Sequence, residues 1–280
     1  MSDPQANAAQ IDYWNANVGK TWAELQDLLD AQIDPLGRAA MAALPLSPDA
    51  HVLDIGCGCG QTTYQLAERL GSGGQVTGID ISEPMLAVAR NRATTASDVA
   101  VRFILADAQT DALGGTQFDA AFSRFGVMFF SDPTAAFSNI RRRLKPGAPL
   151  AFVCWRPITE NPWMSAPRAC LDDLLPTQPA SDPIAPGPFA FADPDRVWTI
   201  LSNAGFSNIR LTPHTAHVGV ATLEGQVQIS LKVGPLGSLL REEPQWRDVA
   251  TERVRKMLEA YVTPQGVKMP AAVWIVTACA

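Results

Sequence analysis

Apolar residues recur at two different periods along the chain, and the change of period divides it. From residue 8 to 44 the spacing is helical: Ile11, Trp14 and Val18, then Trp22, Leu25, Leu28 and Leu29, then Leu36, Ala39, Ala40 and Ala43, stopping at Pro45. From residue 51 short runs of strand character alternate with amphipathic segments. Val52 to Ile55, Gln75 to Ile81, Val99 to Leu105, Phe118 to Ser123 and Leu150 to Trp155 read as strands. Gln61 to Leu70 reads as a helix, as do the segments opened by Ser82 with Pro84 and by Asp132 with Pro133, where a polar cap and an early proline mark the first turn. Such alternation predicts a parallel sheet with right-handed crossovers.

After Trp155 the period loosens. Prolines crowd residues 157 to 192, which read as loop with one helix around Ala166 to Leu174. Asp193-Pro194 then opens a helix closed by Gly205, Ser207 to Val220 reads as a sixth strand, and residues 222 to 232 and 245 to 261 as amphipathic helices. Ala271 to Thr277 reads as a closing strand. The fold class expected is α/β, a Rossmann-like, seven-stranded, mostly parallel sheet with helices on both faces. The divisions expected within one compact domain are an N-terminal helical lid at 1–45, a cofactor-binding core at 46–156, a substrate cap of loops and helices at 157–192, and 193–280 completing the sheet.

Composition narrows the function classes. At 280 residues, with 47% hydrophobic and 18% charged residues, the chain suits a globular domain with a large core. A net charge of -6 and a pI near 5.1 leave no electrostatic footprint for nucleic acid. The basic run Arg141-Arg142-Arg143 falls at a helix end, where cations complement the dipole. Five scattered cysteines lack the paired spacing of a zinc site and suit reduced thiols, so no metal is expected. The first residues lack a signal-peptide pattern and no 18-residue apolar run occurs. The expectation is a cytoplasmic monomer or homodimer, without a nucleic-acid or membrane partner.

The densest chemistry lies at Val52-Leu53-Asp54-Ile55-Gly56-Cys57-Gly58-Cys59-Gly60, an apolar strand closing on an acid and three alternating glycines. Glycine leaves bare backbone against which a ligand can lie. The third glycine comes one residue too early for the dinucleotide fingerprint G-x-G-x-x-G, and Asp54 would repel a pyrophosphate while suiting a ligand with a positive charge. The second strand ends on Asp80, placed beside Gly56, where one carboxylate can accept from both hydroxyls of a ribose. The third runs into Asp107.

At the glycine motif the chain resembles the class I S-adenosylmethionine-dependent methyltransferases, whose first motif ends in acid-x-G-x-G-x-G. The block F-D-A-A-F-S at 118–123, followed by D-P, A-F and I-R-R-x-L-K-P-G, resembles the ubiquinone and menaquinone methyltransferases and their small-molecule relatives, and the resemblance covers residues 50 to 155. It departs at Met128-Phe129-Phe130, where the quinone enzymes tend to carry a polar Arg-Asn pair. The resemblance implies an antiparallel last strand and S-adenosyl-L-methionine as cofactor. The cofactor residues it suggests are Asp54, Gly56, Cys57, Gly58, Gly60, Asp80, Ile81, Met85, Asp107, Ala108 and Ser123, with Asp107 accepting from the adenine amino group and the next backbone N–H facing the ring. From the N-terminal helices Tyr13, with its polar tip, and Trp22, which otherwise reads as a core anchor, join this set.

The function expected is methyl transfer to a small aromatic or lipophilic molecule, on O or C, mainly by positioning the two reactants. Phe125, Met128, Trp155 and Trp163 fall near the carboxyl ends of strands four and five or in the cap and are the candidate acceptor residues. A general base is needed only for a poor nucleophile, and His214 is the candidate, while His217 reads as structural and His51 falls at the wrong end of its strand. Two other readings stand beside this one, a nicotinamide-dependent oxidoreductase and a non-catalytic S-adenosylmethionine-binding module.

Overall fold

A computed structural model describes residues 7–92, 98–174 and 182–280. Pro176 and Pro179 of the expected cap, and the leader before Asn7, lie outside the described residues. The N-terminal run folds as α1 (Ala8–Asn15), α2 (Asn17–Glu24) and α3 (Gln26–Ala42). The alternating region follows as β1 (His51–Ile55), α4 (Gln61–Ala67), β2 (Gln75–Asp80), α5 (Glu83–Asn91), β3 (Ala100–Leu105), β4 (Ala120–Arg124), α6 (Pro133–Arg143) and β5 (Pro149–Trp155). Then come α7 (Pro162–Ala169), α8 (Pro194–Asn203), β6 (Ser207–Val218), α9 (Leu223–Lys232), α10 (Gly234–Glu242) and α11 (Arg247–Leu258), a short hairpin of β7 (Val262–Thr263) and β8 (Gly266–Val267), and β9 (Met269–Cys279).

Seven strands form one sheet in the order β3-β2-β1-β4-β5-β9-β6. The first five pair in parallel, and β9 inserts between β5 and β6 antiparallel to both. The expected sheet and its antiparallel closing strand are both present. Every residue of β5 after Pro149 is buried, as are the first four of β4, so the central strands are covered on both faces, as their unbroken apolar runs require. Strand order reverses between β1 and β4, and ligands of open α/β sheets bind in the crevice at the carboxyl ends there.

Two elements differ from expectation. The helix in the proline-rich stretch begins at Pro162 rather than near Ala166. Asn161 sets its start: its side-chain amide donates to the carbonyls of Arg156, Pro157 and Ala272, and its Oδ1 accepts from the Ala272 N–H at 3.0 Å, so the helix entry is tied to β9. Pro162 then sits in the first turn, where its missing N–H is not needed. The second difference is α10, which falls in the gap between the helices expected at 222–232 and 245–261. Here Pro235 lies in the first turn, and Gly237 meets the Lys232 backbone so closely that a Cβ would stand 2.3 Å from its carbonyl carbon. That contact folds α10 back on α9.

Candidate functional site

A cavity of about 710 Å³ opens at the carboxyl ends of β1 to β5, within the roughly 300–1,000 Å³ typical of small-molecule sites. Its floor is the glycine loop. Gly56, Gly58 and Gly60 have φ of 66°, 54° and 84°, in the left-handed region that favours glycine. Gly56 also faces Gly126 backbone to backbone, since a Cβ on Gly56 would stand 2.8 Å from the Gly126 Cα. This approach brings the β1 and β4 exits together at the switch point. Gly126 was not singled out in the sequence, because the pair forms only when segments 70 residues apart meet.

Asp80 organises this loop. Its Oδ2 accepts from the Gly58 N–H and its Oδ1 from the Ser82 N–H, both at 2.8 Å. Burial raises its pKa, and the backbone donors oppose that rise. Each carboxylate oxygen has a second lone pair, so two hydroxyls can still be accepted. At the next strand tip Asp107 Oδ1 accepts from the Gln109 N–H at 2.9 Å and from the Asn7 amide at 3.2 Å. Gly56, Cys57, Gly58, Asp80, Ile81, Met85, Asp107 and Ala108 all line the cavity, as do Tyr13 and Trp22. Burial pushes the Cys57 thiol well up and that of Cys59 up to about 12, so both are neutral fillers of the turn.

Three expected contacts are corrected. Asp54 is fully buried and does not line the cavity; its Oδ2 accepts from the Thr62 and Thr63 hydroxyls at 2.7 Å, while Oδ1 has no partner. Desolvation raises its pKa to about 6. Its charge can act on a ligand only through the intervening backbone. Gly60 serves the turn and not the wall, packed against Phe103 and Ala89. Ser123 is buried, and its hydroxyl donates to the Ile55 carbonyl at 2.8 Å, joining β4 to β1.

The acceptor residues converge. Phe125, Met128, Trp155 and Trp163 all line the cavity. Phe125 stacks on Trp155 with centroids 4.1 Å apart and planes 7° from parallel, and Trp155 meets Trp163 at 4.9 Å. Phe125 holds a left-handed φ of 63°, rare for a bulky residue, at the β4 exit beside Gly126. Trp14, which recurs at helical spacing in the sequence, also lines the cavity and meets Phe129 edge-on at 4.9 Å.

His214 is not part of this site. It lies within β6, the edge strand beyond β9, paired with Val273, and is absent from the cavity wall. The strand itself was expected over Ser207 to Val220; its place at the sheet edge, beyond β9, is what removes His214 from the cavity. Sequence reading instead missed Asp30 of α3, which pairs with Arg124 of β4 at 3.0 Å and with Arg92 beyond α5. This ion cluster fastens the N-terminal helices to the core beside the cavity, and no local pattern marks it because Asp30 lies more than 60 residues from either arginine. Among the described residues no group of three His, Cys, Asp or Glu side chains is placed to hold a metal, and no helix is long and apolar enough to cross a membrane.

Residues 52–147 match the family model described as a methyltransferase domain. Over 148 residues the chain is 32% identical to a demethylmenaquinone methyltransferase of Staphylococcus aureus (strain MRSA252), an alignment spanning 52% of this chain and 61% of that relative. Among solved structures it resembles a putative methyltransferase of Bacillus halodurans, with a TM-score of 0.52 and 17% identity over 86% of this chain and 97% of that one. It also resembles phosphoethanolamine N-methyltransferase 2 of Haemonchus contortus in complex with S-adenosyl-L-methionine, with a TM-score of 0.51 and 20% identity over 88% of this chain and 52% of that one. The chain shares the Rossmann-like α/β fold of these structures, and it spans about three-fifths of the length of the curated relative it matches.

Proposed function

We propose that this chain transfers a methyl group from S-adenosyl-L-methionine to a small, planar, largely apolar molecule held against Phe125, Trp155 and Trp163. The observation that carries the reading is the convergence of the glycine loop, Asp80 and Asp107 with that aromatic wall on one cavity. When bound, the cofactor supplies an electrophilic methyl on a sulfonium. The chain's residues do the rest by placement. Asp80 accepts from the ribose hydroxyls while bracing the loop, Asp107 meets the adenine, and the buried charge of Asp54 favours the cofactor's cationic end. Asn7 donates to Asp107, so the cofactor's adenine amine and the N-terminal segment share one carboxylate, and α1 to α3 serve as the lid at 1–45. The stretch 157–192 supplies α7 and its Trp163 as the substrate cap.

The aromatic wall excludes water and orders the acceptor, which suits a reaction whose barrier falls mainly by orientation. The described cavity wall carries no histidine, so an acceptor that is already a good nucleophile at neutral pH, such as an acidic phenol or an activated carbon, fits better than an aliphatic alcohol. The test is label transfer from methyl-labelled S-adenosylmethionine to a panel of phenols, catechols, quinols and amines. Label is expected on at least one acidic phenol or quinol, and label on aliphatic amines alone would overturn the acceptor reading.

A further inference from the structure

The cavity is electrically two-ended. Asp80 and Asp107 stand at the β2 and β3 tips, whereas across the sheet, where α7 packs on β9, α9 and α10, the wall carries Arg168, Lys232 and Arg241. Among the described residues two carboxylates pair with these three cations. Asp172 pairs with Arg168 at 2.6 Å and Glu24 with Lys232 at 3.6 Å, and these side chains are 67% and 66% exposed. Exposed pairs of this kind are screened and contribute little. Arg168 is itself only 13% exposed, and its Nε has no partner. Arg241 has no carboxylate partner among the described residues: it donates to the Lys232 carbonyl at 3.2 Å and to the Ser238 hydroxyl at 2.8 Å. Arg241 lines this end of the cavity as an exposed residue and keeps donors to spare, since an arginine offers five.

Three cations against two exposed carboxylates leave this end of the apolar cavity net positive, which favours a ligand that brings the opposite charge, most strongly at the mostly buried Arg168. The aromatic pair of Phe125 at the β4 exit and Trp155 on β5 runs from the middle of the sheet to Trp163 on α7 at the cationic end. We propose that the end formed by α7, α9 and α10 binds an anionic group, a carboxylate, sulfonate or phosphate, carried by the methyl acceptor on its planar apolar body. The acceptor is thus an amphiphilic aromatic anion rather than a neutral lipophile. This inference rests on the methyltransferase reading for the word acceptor, although the anion site itself does not.

Two fluorescent probes share one skeleton and differ in charge: 8-anilinonaphthalene-1-sulfonate is an anion and N-phenyl-1-naphthylamine is its neutral counterpart. With the protein held in saturating S-adenosylhomocysteine, the sulfonate is expected to bind at one site about tenfold more tightly than the neutral probe. Arg241→Gln should raise the sulfonate Kd about tenfold and leave the neutral probe within about twofold, while Arg241→Lys should keep most of the preference. If circular dichroism shows Arg241→Gln misfolded, Lys232→Gln, on a side chain 37% exposed, repeats the test. Equal affinity for the two probes, or a sulfonate Kd that neither variant moves, would overturn the proposal. Calorimetry with S-adenosylhomocysteine separates the two readings. Sulfonate selectivity without homocysteine-adduct binding leaves the anion site standing and removes the methyltransferase reading, and the converse removes only the anion site.

Discussion

Replacing Asp80 with alanine is expected to weaken S-adenosylhomocysteine binding by about 2–4 kcal/mol, as two hydrogen bonds to a charged acceptor are lost together with part of the loop's order. The second part follows from the structure. Asp80 accepts from Gly58 and Ser82 backbone N–H groups, so the substitution leaves both donors in a buried wall without their partner and frees Gly58 from the position that bares its backbone to the ligand. Asparagine does not rescue the site, because its amide nitrogen would face one of those two N–H donors. Titration calorimetry measures the change, with circular dichroism confirming that the variant is folded. Affinity unchanged within a factor of two would remove Asp80 from the cofactor site.

Asp54→Asn is expected to act with opposite signs on stability and on binding. The carboxyl is fully buried with its pKa raised to about 6 from an ordinary 3.8, so the folded state holds the proton more tightly than the unfolded chain. The group's contribution is therefore most favourable below about pH 4, declines as pH rises to about 6, and above that is a constant penalty. Asparagine keeps an oxygen for Thr62 and Thr63 and places its amide where Oδ1 has no partner. The variant should gain about 1–3 kcal/mol of stability at pH 8 and about none at pH 4. Removing the charge should also weaken binding of the cationic amino end of S-adenosylhomocysteine about three- to tenfold. Thermal denaturation at the two pH values and calorimetry at pH 8 read both effects. A variant less stable than the parent at pH 8 would show that Asp54 is a net stabiliser as the ion.

The parts of this site that were legible from sequence are those carried by one strand and its exit. Asp80 and Asp107 each follow directly on an apolar run, and the glycines stand in a spacing that only a tight turn explains. Strand exits in a parallel sheet converge, so reading each in isolation was enough to bring them together. Asp54 was legible as an acid but not as a buried one, because the threonines that hold it sit one helix away at positions with no motif of their own. The same limit explains Gly126, Asp30 with Arg124, and Arg241, whose roles arise only where distant segments meet. His214 failed for a different reason: chemistry was assigned by residue type, and the strand that carries it lies at the edge of the sheet. α10 was not read from the sequence; its proline serves a helix start and its Gly237 a close contact with Lys232 that no local pattern shows.

Calorimetric titration of the purified chain with S-adenosylhomocysteine and, separately, with NAD decides what the glycine loop holds. One S-adenosylhomocysteine site with a Kd in about the micromolar range, near -8 kcal/mol, and no saturable NAD binding is the expected result. Tight NAD binding with no heat from S-adenosylhomocysteine would contradict it.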